Sequence, residues 1–87
     1  MPYRVFWSPD AERQFKSLYA TATELTALAV AADAIDAQLH RNPYEFGESR
    51  EGSARIGFQE PLGIQCEVLE DVKTVIVFQV WHTDKKR

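Results

Sequence analysis

Two runs near the C-terminus decide the fold: Ile64-Gln65-Cys66-Glu67-Val68-Leu69-Glu70 and Thr74-Val75-Ile76-Val77-Phe78-Gln79-Val80-Trp81. In the first, Ile64, Cys66 and Val68 alternate with Gln65 and Glu67, the period of a strand with one face buried. The second is nearly all apolar, as in a central strand covered on much of both faces. Glu70-Asp71-Val72-Lys73 joins them, too short a link for a crossover, so the two strands are antiparallel.

Working backwards, Ser53–Glu60 also alternates. Ala54, Ile56 and Phe58 point one way, Arg55, Gly57 and Gln59 the other. Pro61-Leu62-Gly63 reads as the turn into the next strand, with Pro61 at its second and Gly63 at its fourth position. Facing Ala54, Ile56 and Phe58 inward leaves Arg55 on the open side of the sheet. Tyr44–Gly52, punctuated by Gly47 and Gly52, reads as loop.

The N-terminal half supplies a cover for the sheet. Tyr3–Trp7 is aromatic and β-branched and reads as a first strand. Ser8-Pro9-Asp10 then predicts a helix, with Ser8 as cap and Pro9 in the first position, running to about Tyr19. Thr21-Ala22-Thr23-Glu24 has the form of a capping box. It predicts a second helix with Leu25, Leu28, Ala29, Ala32, Ile35 and Leu39 on one stripe, ended by Asn42-Pro43. The expected fold is α+β in two layers, β-α-α-β-β-β. A helical hairpin packs on one face of a mainly antiparallel four-stranded sheet, and the first strand pairs parallel to a member of the meander.

Composition narrows the function classes. The 87 residues make one domain with one modest core, spanning 1–87. No apolar run approaches the ~20 residues of a membrane span, and the N-terminus lacks the form of a signal peptide. The lone Cys66 reads as a buried reduced thiol, which makes the cytoplasm the expected compartment. A net charge of −3, spread evenly along the chain, does not support global capture of a phosphate backbone. His40, His82 and Cys66 have no metal-ligand spacing, and neither a Gly-rich phosphate loop nor a Ser-His-Asp order is present, so no metal or cofactor is expected.

The chain resembles the RelE/ParE superfamily, the toxins of bacterial type II toxin–antitoxin modules. The resemblance rests on Tyr3-Arg4-Val5-Phe6-Trp7-Ser8-Pro9-Asp10-Ala11, on a helical hairpin ending Leu39-His40-Arg41-Asn42-Pro43, and on the Arg-bearing strand with Leu62-Gly63-Ile64-Gln65-Cys66-Glu67-Val68. It implies a small cytoplasmic toxin neutralised by a cognate antitoxin. It also implies one of two targets: mRNA cleaved on the ribosome, which inhibits translation, or DNA gyrase poisoned without nuclease activity. Where family members commonly have a Tyr-Arg-Val-like start to the third strand followed by an aromatic residue, this chain has Leu62-Gly63-Ile64 and Cys66, and Thr83, not Tyr, follows His82. A catalytically lost binding module on the same scaffold is the further alternative.

The leading expectation is a metal-independent endoribonuclease, an mRNA interferase. Attack by the RNA 2′-hydroxyl needs a base, a cation on the phosphate and an acid for the leaving oxygen. His82 titrates near neutrality and suits the proton transfers. Arg55 and Arg50 suit the phosphate, and Glu48 or Glu60 suits the orienting carboxylate. Lys85, Lys86 and Arg87 add phosphate attraction for RNA. Each has a plainer reading: a structural His beyond a strand, an Arg50–Glu48 or Arg50–Glu51 surface pair, a solvated tail. His40 reads as a cation suited to a helix C-terminus, and Trp7 and Trp81 as core packing.

Overall fold

The structure, a computed structural model, describes residues 2–83, so Lys85, Lys86 and Arg87 lie outside the described residues. Its elements are β1 (Arg4–Trp7), α1 (Pro9–Thr21), α2 (Leu25–Arg41), a 3-10 turn (Pro43–Glu45), β2 (Glu48–Ser49), β3 (Ala54–Gln59), β4 (Leu62–Leu69), a second 3-10 turn (Glu70–Val72) and β5 (Thr74–His82). The strands form one sheet in the order β1-β5-β4-β3-β2, with β1 parallel to β5 and the other pairs antiparallel. The α+β architecture, the meander and the parallel return of the first strand are as expected. The sheet has five strands instead of four, because the segment expected as loop adds the two-residue edge strand β2. Two residues are too few to show a period in sequence.

Ser8 caps α1 as expected, its hydroxyl accepting from the Ala11 amide at 3.0 Å. The capping box does not form. Thr21 is instead the last residue of α1, its hydroxyl turned back to the Ser17 and Leu18 carbonyls. Glu24 sits at the N-cap of α2 without capping it, because its carboxylate is drawn toward β5. Leu28, Ile35 and Leu39 of α2 meet Leu62, Ile64 and Cys66 of β4 and Val75 and Val77 of β5, all fully buried. Removing this apolar surface from water is the main source of stability. Cys66 is buried and free, and burial pushes its thiol up to about 11, away from the reactive thiolate.

β1 stops at Trp7, opposite Val77. Beyond that point β5 faces α1, which packs chiefly on it. The Val80 amide donates to Gln14 Oε1 at 2.8 Å, so a helix side chain answers a strand donor that has no neighbouring strand.

Two local features set which side chains face the helices. The first is the β3–β4 link, where Gln59 pairs with Leu62 and only Glu60 and Pro61 lie between, joined by a cis peptide bond. The turn is therefore one residue away from the expected Pro61-Leu62-Gly63, which moves each pair by two positions and keeps Arg55 opposite an inward residue of β4; the expected facing rested on the apolarity of Ala54, Ile56 and Phe58. Arg55 and Gly57 now share the helix side with Cys66 and Ile64, whereas Ile56 and Phe58 share the open side with Gln65 and Gly63. This reverses the expected facing of β3 and takes Arg55 off the open face. The second is a bulge. Gln65 pairs with Gln79 but Cys66 with Val77, leaving Phe78 extra. Val75 and Val77 face the helices before it, and Val80 and His82 after it, alongside Ile64 and Leu62. Trp81 thus moves to the open face, opposite Gly63, contrary to its reading as core packing beneath the helices.

Candidate functional site

The open face of the sheet follows from this register. Phe6, Ile76, Glu67 and Ala54 lie in one row across it. Gln79, Gln65, Ile56 and Glu48 form a second, and Trp81, Gly63 and Phe58 a third. Phe6 and Phe58 are each more than half exposed. Trp81 lies over Gly63, where a Cβ would stand 2.6 Å from the indole, and meets Phe58 edge to face at 6.1 Å. Gly63 is therefore a strand glycine that admits an aromatic ring, not a turn residue. Among the described residues the cations on this face are Arg4 at one edge and Arg50 at the other. Arg50 is paired with Glu48 at 3.4 Å, both well exposed, a contact of small energetic weight.

The other two predicted chemical groups lie on the opposite side. His82 is buried, and its Nε2 is 3.2 Å from Glu24 Oε2. The contact closes a cleft of about 190 Å³ lined by Leu18, Thr21, Ala22, Thr23, Glu24 and His82. The Glu24 carboxyl is held below its usual range, by its own backbone amide first and by His82 second. Arg55 donates from Nε to the Phe46 carbonyl at 3.0 Å and from Nη2 to those of Tyr44 and Gly47 at 2.9 and 3.3 Å. Its guanidinium also lies 5.9 Å from the centre of the Tyr44 ring. It clamps the segment that carries Phe46 onto Gly57, where the ring leaves no room for a Cβ.

The expected set therefore divides. Glu48 and Arg50 stand together on the open face, and His82 and Arg55 stand apart on the helix side. The β4 partners of His82 and Arg55, Leu62 and Cys66, are four residues apart, roughly 13 Å along the strand. Neither Glu48 nor Arg50 shares a face with them.

Sequence reasoning missed a different cluster. Glu70 Oε1 accepts from Tyr3 Oη at 2.8 Å and from Tyr44 Oη at 2.7 Å, while its Oε2 binds Lys73 Nζ. Lys73 Nζ lies 5.1 Å from the centre of the Tyr3 ring, and the two tyrosine rings meet at 80°. Tyr44, Arg55 and Glu70 border a cleft of about 330 Å³ with Ser53 and Val68. Lys73, then Tyr44 and Tyr3, hold the Glu70 carboxyl down at about 2. The hydrogen bond to that carboxylate pushes the Tyr44 phenol up to about 12. Such a phenol neither releases a proton near neutrality nor acts as a nucleophile. The cluster ties the start of β1 and the Pro43–Glu45 turn to the β4–β5 link. The only sequence signal was a pair of tyrosines beside acidic turn residues, joined across the whole chain.

The sign of the coupling is testable. A carboxyl with a depressed pKa stabilises the fold above its unfolded value and loses that contribution as pH falls toward the folded one. The denaturant midpoint should decline between about pH 5 and pH 2 more steeply in the parent than in Glu70→Gln. Ultraviolet titration should find one tyrosine ionising near 12 in the parent. In Glu70→Gln that tyrosine should return toward the ordinary value of about 10. An unchanged phenol in the variant would break the assignment.

No family model matches the chain, and no curated protein does. Among solved structures it is similar to a chain of the toxin–antitoxin complex RelBE2 from Mycobacterium tuberculosis. The TM-score is 0.77 at 21% identity, over 94% of this chain and 99% of that one. It is also similar to a chain of the chromosomal ParDE TA system from P. aeruginosa, with TM-score 0.66 at 14% identity, over 92% and 95%. The likeness is one of fold, two helices on a mixed sheet.

Proposed function

We propose that this chain is the toxin of a type II toxin–antitoxin module and that it acts by docking on a protein, without cutting RNA. Its partners are a cognate antitoxin and, as target, DNA gyrase in the bacterial cytoplasm. The fold, shared with the RelBE2 and ParDE chains, supports the toxin reading. One observation carries the mode of action: His82 and Arg55 are turned to the helix side, away from the face that displays Phe58 and Trp81. RNA is gripped largely through phosphates, and metal-free cleavage further needs cations and proton carriers gathered on one phosphate. Here Arg55 is engaged by three carbonyls, and His82 is buried beside Glu24. Aromatic rings alone could stack bases, but stacking leaves the backbone charge unanswered. An exposed Phe58 packed on a half-buried Trp81, flanked by Gln65, Gln79 and Glu67, suits the centre of a protein interface better.

The reading is tested by adding the purified chain to a gyrase supercoiling reaction and, separately, to ribosomes translating a defined mRNA. Supercoiling should stop and the mRNA should stay intact. Phe58→Lys should relieve growth arrest, and Arg50→Ala should not. Cuts within codons with gyrase untouched would replace this reading by the second one, a ribosome-dependent mRNA endoribonuclease. That reading is favoured by the higher TM-score to the RelBE2 chain, and it would rely on Arg50 and Glu48 with Lys85, Lys86 and Arg87.

A further inference from the structure

The two helices leave an opening between them at the end of β1. It is a cleft of about 290 Å³ lined by Trp7, Glu12, Phe15, Lys16, Ala32 and Asp36. Glu12, Phe15 and Lys16 share one face of α1, and Ala32 and Asp36 stand one turn apart on α2. Trp7, opposite Val77, rises from the sheet on the helix side. Ala32 brings only a methyl group, which leaves the cleft its room.

Two rings make a corner of it. The centroids of Trp7 and Phe15 are 5.9 Å apart with their planes at 66°. Tyr19 packs on Phe15 at 5.7 Å, and Asp36 Oδ1 accepts from Trp7 Nε1–H at 2.7 Å, so each ring has its own support. The one donor of the indole is thereby used, and what it offers a ligand is its face. Two carboxylates, Glu12 and Asp36, stand at this corner against the single cation Lys16. Among the described residues none of these three takes part in an ion pair.

We infer that this cleft binds a small free quaternary ammonium ion, a cation whose nitrogen carries methyl groups in place of N–H donors. Aromatic faces are negative and attract such a cation without a hydrogen bond. A primary ammonium has three donors to satisfy, and the corner between two rings offers it no acceptor, whereas a methylated nitrogen has none to lose. Glu12 and Asp36 supply the charge that draws the ion in, and they outnumber Lys16 by one. The volume lies at the lower end of small-molecule sites, which begin at roughly 300 Å³, and so suits a molecule of choline's size. The inference does not depend on the toxin reading.

The test titrates choline chloride into the full chain labelled with nitrogen-15, at constant ionic strength. The control is 3,3-dimethylbutan-1-ol, which has choline's shape with carbon in place of the charged nitrogen. Choline should shift the Trp7 indole N–H and the amides of Phe15, Lys16 and Asp36, with half-saturation on the order of 1 mM, and leave the Trp81 indole N–H unmoved. Asp36→Asn keeps an oxygen for the indole, removes the charge, and should weaken binding about tenfold. Phe15→Leu keeps an apolar body without the ring face and should weaken it by about as much. Lys16→Gln should tighten it. Any of four results overturns the inference: no shift at about 50 mM choline, equal binding of the neutral alcohol, an affinity indifferent to both Asp36→Asn and Phe15→Leu, or a capped trimethyl-lysine peptide that binds far more tightly than choline. The last would give the cleft to a modified protein instead of a free ion. Because the Asp36→Asn side chain is exposed and its fold is checked by the unchanged spectrum elsewhere, a lost signal in that variant is read as lost binding.

Discussion

Replacing Gly47 with alanine should cost the fold about 3 kcal/mol, lowering the thermal midpoint by on the order of 15 °C. Gly47 has φ of +62°, and a Cβ there would stand 2.0 Å from the Ile56 carbonyl oxygen and 2.6 Å from Gly57 Cα. Those atoms belong to the backbone of β3 and cannot rotate aside. Gly52 is the internal control, having the same φ of +62° with nothing within 4 Å. Gly52→Ala should therefore cost only the left-handed penalty, about 1 kcal/mol. Denaturant melts of the two variants side by side measure the difference. Equal losses would mean that β2 and β3 are not as close as described.

Arg55→Ala should destabilise by about 2 kcal/mol, because three backbone carbonyls lose a charged donor at once and the site is partly open to water. Arg55→Lys should recover little, since an ammonium lacks the planar fork that spans carbonyls of Tyr44, Phe46 and Gly47. The loss should appear in the purified protein without any target present, and any decline in growth arrest should track the amount of folded chain. A variant with the parent's denaturation midpoint and no toxicity would return Arg55 to a chemical role.

Much of the architecture was legible. The helix cap at Ser8, the buried Leu28, Ile35 and Leu39 of α2, the antiparallel meander and the return of the first strand beside it all follow from period, capping chemistry and link length, whereas Leu25 of the expected stripe is exposed and Ala31 takes a core place instead. The candidate site was not. Face assignment in a strand depends on parity, and a count that errs by one residue exchanges every side chain. Taking the apolar Ala54, Ile56 and Phe58 as the inward set put Arg55 outside, and the observed pairing of Arg55 with Cys66 and of Phe58 with Gly63 puts it inside. Gly57 and Gly63 were the available signals, since a glycine within a strand marks a place where a ring or backbone comes close. Phe46 fills the first and Trp81 the second.

The sequence by itself determined the order of the elements, the layer that covers the sheet, and a charge balance ill suited to gripping nucleic acid. These depend on residues near one another in the chain, whose periods and caps act locally. Only the tertiary structure decided which groups meet. It set Phe78 out of register, moved Trp81 to the open face and His82 to Glu24, and drew Tyr3 and Tyr44 onto Glu70. A bulge shifts the count by one, and that shift is expressed only when strands distant in sequence align their hydrogen bonds.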